Sequence, residues 1–318
     1  MFHFLLKDPI VVNGFVLISS LYILYKSADL IVDSISDYAR KLGLSDAIIG
    51  LVVIAMAASA PEIISSITGF LAGNESVGFG AILGANMVHV GFALGIVAMI
   101  GRKVEIEPSV FSKQKLFMWI ALMLPFLLAM DGWLSRSDGV VLLLAFGSYL
   151  GRLWQIEGTL GKLKKSVQLK TLWRDAFIFL GAFVALMLAG RWLVVSSVNL
   201  AAYFGMPSYF IALTVIGIGT TIPDIAIELR SVFKKHGGMG LGDLLGSLII
   251  ELLLFFGLMS LIQPIQINVS LVRNALIFLA AGVSCVMLLM RGKYVTWKHG
   301  IMFFALYGLF LAIEIYRI

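Results

Sequence analysis

The sequence is poor in what a soluble protein needs on its surface. Only 13% of its 318 residues are charged and 60% are hydrophobic, against about a quarter and about half in a soluble globular domain. Mean hydropathy is +1.00. With one cysteine, no internal disulfide framework exists, and Cys285, set in an apolar run, reads as a small buried hydrophobe. There is no HExxH zinc motif and no evident Ser-Lys or Ser-His pair, so an intramembrane enzyme is not expected. The opening "MFHFLLKDPI" lacks a basic n-region and a small-residue cleavage site. It is therefore read as carrying no removable signal peptide, with the first span acting in targeting. The net charge of +6 sits in loops between apolar runs, which speaks against nucleic acid as a partner.

What is abundant is long apolar runs, each near the length of about 20 residues that crosses a bilayer as a helix. Ten spans are expected, at roughly 10–35, 44–72, 77–100, 115–131, 138–154, 174–200, 207–233, 240–263, 270–290 and 297–315. The basic stretch around Lys162, Lys164 and Lys165 is too short for a folded domain and suits contact with anionic headgroups. Placing the N-terminus outside leaves only Lys7, Arg136, Arg273 and Arg317 in outer loops, while the inner loops collect most of the Lys and Arg. Positive residues favour the cytoplasmic side. The chain is thus expected in the plasma membrane, multi-pass, with both termini extracytoplasmic.

The chain also repeats itself. "GLVVIAMAASAPEI" (50–63) aligns with "ALTVIGIGTTIPDI" (212–225), so that Pro61 falls on Pro223 and Glu62 on Asp224, 162 residues apart. The same offset carries Gly43, Gly78, Gly80, Gly84 and Gly95 onto Gly205, Gly240, Gly242, Gly246 and Gly257 without a gap. Two halves of five spans each follow: residues 1–155, a linker at 156–173, and residues 174–318. Five is odd, so the second half enters the membrane inverted. Inverted repeats with a midplane site on interrupted helices are a common transporter architecture. The fold class expected is an all-α polytopic membrane protein.

Each half places a proline and then a carboxylate in mid-membrane. Proline removes a backbone donor, which is expected to break the helices at Pro61 and Pro223 and to free carbonyls near Ala55 and Gly217. Ser59, Thr220 and Thr221 precede their carboxylates by three or four residues and share a helical face with them. In the next span of each half, His89 follows Ala85, and Glu251 follows Ser247, by four residues. Glycines four apart let such helices approach closely. Glu62, Asp224, Glu251 and His89 are therefore expected to point into a core of four helices, where carboxylate, hydroxyl and carbonyl oxygens suit hard cations.

At these residues the sequence resembles the sodium/calcium exchanger family of the calcium:cation antiporters, as a divergent member. The family pairs G-T-S-x-P-E with a G-N-x-x-G-S-N-like stretch. Here these stand as "AASAPE" (57–62) with "GAILGAN" (80–86), and "GTTIPD" (219–224) with "GDLLGSL" (242–248). The resemblance covers essentially the whole chain. It implies cation ligands at Glu62, Ser59 and the Ala55 carbonyl, at Asp224, Thr220, Thr221 and the Gly217 carbonyl, and at Ser247 and Glu251. Glu62, Asp224 and Glu251 would be the metal-binding carboxylates. Ala58 and Ala85 stand where the family has hydroxyl ligands, His89 where it has asparagine, and Glu228 adds a carboxylate.

The resemblance implies a secondary antiporter that needs no cofactor and exchanges Ca²⁺ or a related cation for Na⁺ by alternating access, spans 1 and 6 moving across spans 2, 3, 7 and 8. Two alternatives stay open. One is a cation/H⁺ exchanger using His89 and the carboxylates, since imidazole titrates near neutral pH and is a poor ligand for Ca²⁺ or Na⁺. The other is a degenerate relative that binds an ion without transporting it. The partners expected are inorganic cations and the lipid bilayer, with the ion and the oligomeric state left open.

Overall fold

The structure, a computed structural model, describes residues 9–41, 55–105, 115–157, 169–233, 244–290, 292 and 294–317. Most of the linker, the start of the expected second span, and Gly43, Gly240 and Gly242 lie outside the described residues.

The described chain is almost wholly helical. Helix α1 is Pro9–Lys41, and α2 comes in two pieces, Ala55–Ala58 and Ala60–Leu71. A tight turn through Gly73 (φ 71°), a left-handed conformation that glycine adopts without strain, leads into α3, Glu75–Gly101. The Asn74 side chain caps α3 by accepting from Val77 N at 3.2 Å. Then follow α4 (Lys115–Leu128), α5 (Arg136–Glu157), α6 (Leu169–Phe204), α7 (residues 208–233), α8 (Leu244–Ile262), α9 (Val269–Leu289) and α10 (Trp297–Arg317).

Among the described residues, six helices are long and apolar enough to cross a membrane: Pro9–Ser27, Glu75–Gly101, Phe177–Phe204, Leu244–Ile262, Val269–Leu289 and Trp297–Arg317. The remaining expected spans are shorter or more polar as helices. Helix α4 has 14 residues before a 3-10 turn at Ala129–Asp131, and the apolar part of α7 is Ser208–Ile222.

Burial separates the helices into a centre and a periphery. Of the apolar windows, 83% is buried in α3 and 78% in α8, against 22% in α1 and 33% in α6. Helices α1 and α6 pack mainly on each other. They turn Phe15, Ile18 and Tyr22, and Phe177, Val184, Leu188 and Trp192, outward, as helices solvated by lipid do. Their link to the centre is tight: a Cβ at Gly219 of α7 would meet Leu21 of α1, and one at Gly190 of α6 would meet Ile64 of α2.

Two small antiparallel ribbons fasten the turns between helices. Strand β1 (Lys103–Glu105) pairs with β4 (Tyr294–Thr296), and β2 (Trp133–Leu134) with β3 (Ile265–Gln266). The 162-residue offset relates them residue by residue: the pair Lys103 with Thr296 falls on Ile265 with Leu134, and Val104 with Val295 on Gln266 with Trp133. The packing follows the same rule, α10 lying on α3 and α5 on α8.

Candidate cation site

The site is built where α3 and α8 cross α2 and α7. Helix α3 touches α7 backbone to backbone. A Cβ at Gly217 would stand 2.7 Å from the Gly84 carbonyl carbon, and one at Gly84 would collide with the Leu213 carbonyl. Ser66 Oγ of α2 donates to Gly78 O of α3 at 2.6 Å. These contacts fix the polar faces of the helices against one another.

Both α3 and α8 carry a π-helical segment at this level, Val88–Ala93 and Ile250–Phe255, and the 162-residue offset maps one onto the other end to end. His89 and Glu251 are the second residues of these segments. One extra residue in a turn rotates the following side chains, and such bulges are frequent at functional sites.

Glu62, His89, Asp224 and Glu251 are fully buried, at 0% exposure, and Glu228 is at 1%. His89 lies among three carboxylates. Its Nε2 is 3.4 Å from Asp224 Oδ2 and 3.8 Å from Glu251 Oε1, and its Nδ1 is 3.8 Å from Glu228 Oε1. Asp224 and Glu228 are one turn apart on α7, so the ring is laid along that turn. Glu62 faces His89 and Glu251 as well as the Thr220 and Thr221 hydroxyls, and Ser59 adjoins Glu251.

The hydroxyl protons of α7 are used on the backbone. Thr221 donates to Gly217 O at 2.7 Å and Thr220 to Ile216 O at 3.0 Å, which leaves their oxygen lone pairs for the site. The Glu62 and Glu228 carboxylates, Ser247 Oγ and Asn86 Oδ1 are buried with no hydrogen bond of ordinary length among the described residues. Buried polar groups are normally paired, so this concentration of acceptor oxygens marks a place for cationic charge.

The residues expected from sequence meet here with four differences. Helix α2 is interrupted at Ser59, ahead of Pro61, but α7 runs unbroken through Pro223 in Gly217–Phe233. Pro223 is therefore not helix-breaking: α7 places its irregularity upstream, in the π-helical segment Ala212–Ile216, and such adjustments with Thr side chains accommodate proline in membrane helices. Second, the Ala55 and Gly217 carbonyls are not freed. Ala55 O accepts Ser59 N–H at 2.9 Å and Gly217 O accepts the Thr221 hydroxyl. Proline deprives the carbonyl four residues earlier, so the residues concerned are Ala57 and Gly219. Ala55 O retains a second lone pair, whereas Gly217 O also receives the Thr220 hydroxyl at 3.4 Å.

Third, Glu62, Asp224 and Glu251 are not closed on one point as they stand: among the described residues no group of three Asp, Glu, His or Cys side chains is close enough to hold a metal ion. Fourth, the sequence reading missed Asn86. Its Nδ2 donates to Ile82 O and to Glu251 Oε2, both at 2.7 Å. The signal was its amide in an apolar helix, at the end of "GAILGAN". Of the positions with absent hydroxyls, Ala85 is buried at 0% and presents only a methyl group, and the side chain of Ala58 lies outside the described residues.

Enclosed helices around a buried, oxygen-rich, mostly acidic cluster define a membrane carrier of small cations. The sequence profile described as "Sodium/calcium exchanger protein" matches residues 13–155 and 175–316. Inner membrane protein YrbG of Escherichia coli (strain K12) is 31% identical over 264 residues, covering 79% of this chain and 80% of its own. Sodium/calcium exchanger MaX1 of Methanosarcina acetivorans is 23% identical, covering 96% and 99%. A solved structure of the sodium-calcium exchanger NCX_Mj soaked with Na⁺ and Sr²⁺ shares the fold, with a TM-score of 0.71 at 22% identity, over 95% of this chain and 98% of that one. The chain belongs to the sodium/calcium exchanger family. It is an integral, multi-pass membrane cation antiporter and not an enzyme.

Proposed function

We propose that the protein exchanges a divalent cation, Ca²⁺ or a related ion, for Na⁺ by alternating access. The observation that carries this reading is the twofold constellation at the crossing of the central helices: Glu62 and Asp224 on α2 and α7, His89 and Glu251 on matching π-helical segments of α3 and α8, all fully buried. Two or more carboxylates neutralise a divalent ion, and Na⁺ competes for the same oxygens. Antiport then requires only that the ion-free site not cross, and uncompensated carboxylates in a low dielectric supply that barrier. The ligands are Glu62, Asp224 and Glu251, with Ser59, Ser247, Asn86, the Thr220 and Thr221 hydroxyls and the Ala55 and Gly217 carbonyls.

The architecture that goes with this mechanism is two five-helix repeats, residues 1–155 and 174–318, inverted and joined by the cytoplasmic linker 156–173. The ribbon registers and π-helical segments related by 162 residues support it, as does a family match in two stretches. Helices α1 and α6, peripheral and paired, are the elements that move across the site. Both termini face outward from the plasma membrane.

The test is divalent-ion uptake into proteoliposomes driven by an outward Na⁺ gradient. Uptake is expected with the native chain and lost in Glu62→Gln and Asp224→Asn. Unchanged uptake in both variants removes the site. A second reading, exchange against H⁺, is favoured by the three carboxylates within 3.8 Å of His89. Uptake driven by a pH gradient without Na⁺ would establish it.

A further inference from the structure

The cluster departs most from an all-oxygen cation site at His89. Resting on the reading of this cluster as the transport site, we propose that the divalent substrate is a first-row transition ion of the Mn²⁺ class. His89 would ligate it through Nε2, and Glu228 would orient the ring through Nδ1.

Geometry is the first argument. Ligand atoms sharing one such ion, each at about 2.0–2.2 Å, lie roughly 3.0–3.5 Å from one another. His89 Nε2 and Asp224 Oδ2, at 3.4 Å, fall within that range, whereas Glu251 Oε1, at 3.8 Å, must move inward before three side chains share one ion. The two ring nitrogens face different partners: the ligand carboxylates at Nε2, and Glu228 at Nδ1. A histidine that binds a metal typically gives its other N–H to a carboxylate, which fixes the tautomer and raises the basicity of the ligating nitrogen. Glu228 Oε1 faces Nδ1 from 3.8 Å, one turn beyond Asp224 on the same helix, and bonds it once the side chain moves closer.

Donor chemistry is the second argument. Both Asn86 N–H groups are engaged, by Ile82 O and Glu251 Oε2, so its buried and unpartnered Oδ1 remains as a neutral oxygen donor. Ser247 Oγ is likewise buried without a hydrogen bond. With Asp224, Glu251 and Glu62 these give one nitrogen and several oxygens. Ca²⁺ takes six to eight oxygen ligands, yet Ala85 offers a methyl group and His89 a nitrogen within the cluster. Imidazole suits first-row transition ions such as Zn²⁺ and Fe²⁺ rather than Ca²⁺ or Mg²⁺, while carboxylate and carbonyl oxygens suit Mn²⁺, so one imidazole among several oxygens fits the Mn²⁺ end of the series. The single cysteine, Cys285, is on α9, outside the four helices that carry the cluster. A soft-ion site is therefore not built here, and the oxygen-rich set selects the harder end of the transition series.

The experiment uses the purified full-length protein with Mn²⁺ alone and Ca²⁺ alone. Electron spin-echo modulation of bound Mn²⁺ detects a directly coordinated ¹⁴N. The native chain is expected to show that nitrogen and to bind Mn²⁺ at least tenfold more tightly than Ca²⁺. His89→Asn and His89→Gln, checked for monodispersity, should lose the nitrogen signal and most of the preference while still binding Ca²⁺. Glu228→Gln should keep the nitrogen signal and weaken Mn²⁺ binding by about 10–100-fold, as loss of a supporting carboxylate does. Mn²⁺ bound without nitrogen coupling, or an unchanged Mn²⁺ to Ca²⁺ ratio in both His89 variants, overturns the inference. If Glu62→Gln abolishes binding of both ions in that case, the site itself stands. If Glu62→Gln leaves both unaffected, the site reading fails instead.

Discussion

Asn86 Nδ2 donates to Glu251 Oε2 at 2.7 Å, joining α3 to α8 across 165 residues of sequence, with both side chains fully buried. The bond is charge-assisted when Glu251 is ionised. Removing one partner of such a buried pair costs more than removing both. Asn86→Leu should lower thermal stability, by about 1.5–3 kcal/mol for a hydrogen bond to a charged group. Asn86→Leu with Glu251→Leu should be less unstable than the sum of the single variants. Fluorescence melting of all four proteins gives the coupling, and additivity would dissociate the pair.

The contact of α3 with α7 leaves no room for a side chain at Gly217. Gly217→Leu should destabilise by about 1–3 kcal/mol or prevent assembly, as overpacking does. Gly147→Ala, in a helix with open space around the position, is the control. It should be neutral or stabilise by up to about 1 kcal/mol through helix propensity. Equal effects at the two positions would contradict the crossing.

Thr221 holds its proton on Gly217 O, so Thr221→Val keeps the shape and removes a proposed ligand oxygen. Divalent affinity, read as a midpoint of ion-induced thermal stabilisation, should weaken about 5–30-fold, the value of roughly 1–2 kcal/mol for one lost polar interaction. The unliganded protein should lose no more than about 0.5–1.5 kcal/mol, the value of the one hydrogen bond to Gly217 O that the change removes. An unchanged midpoint would take Thr221 out of the ligand set.

The proposed inverted repeats would put the two ribbons on opposite faces of the membrane. In a Cys285→Ser background, cysteines at Lys103 and Thr296 should cross-link and label only from the cytoplasm. Cysteines at Trp133 and Gln266 should do so only from outside. Labelling of both pairs from one side would exclude the inverted arrangement.

Particular residues show what was legible in the sequence. Glu62 and Asp224 stood out because a carboxylate in an apolar run is costly, and because they matched at one offset. Asn86 escaped the same reasoning because its offset partner is Leu248, so a search for paired polar positions passes over it. The π-helical segments of α3 and α8 are hidden from sequence because both helices are buried nearly all round, so that hydropathy there carries no phase. From sequence Pro223 reads as a break because proline usually is one, whereas α7 absorbs it upstream. Ribbons of two or three residues have no periodicity to detect.

The ribbon joining Val104 to Val295 also bears on how the protein is made. Its second strand is synthesised long after the first, when α3 has already entered the membrane, and α10, which packs on α3, follows directly. The first half therefore waits in the bilayer with a helix face uncovered and a strand edge unsatisfied. Its final form is reached only once residues 294–296 and α10 have been made, and a chain truncated before residue 294 would remain a client of the insertion and quality-control machinery.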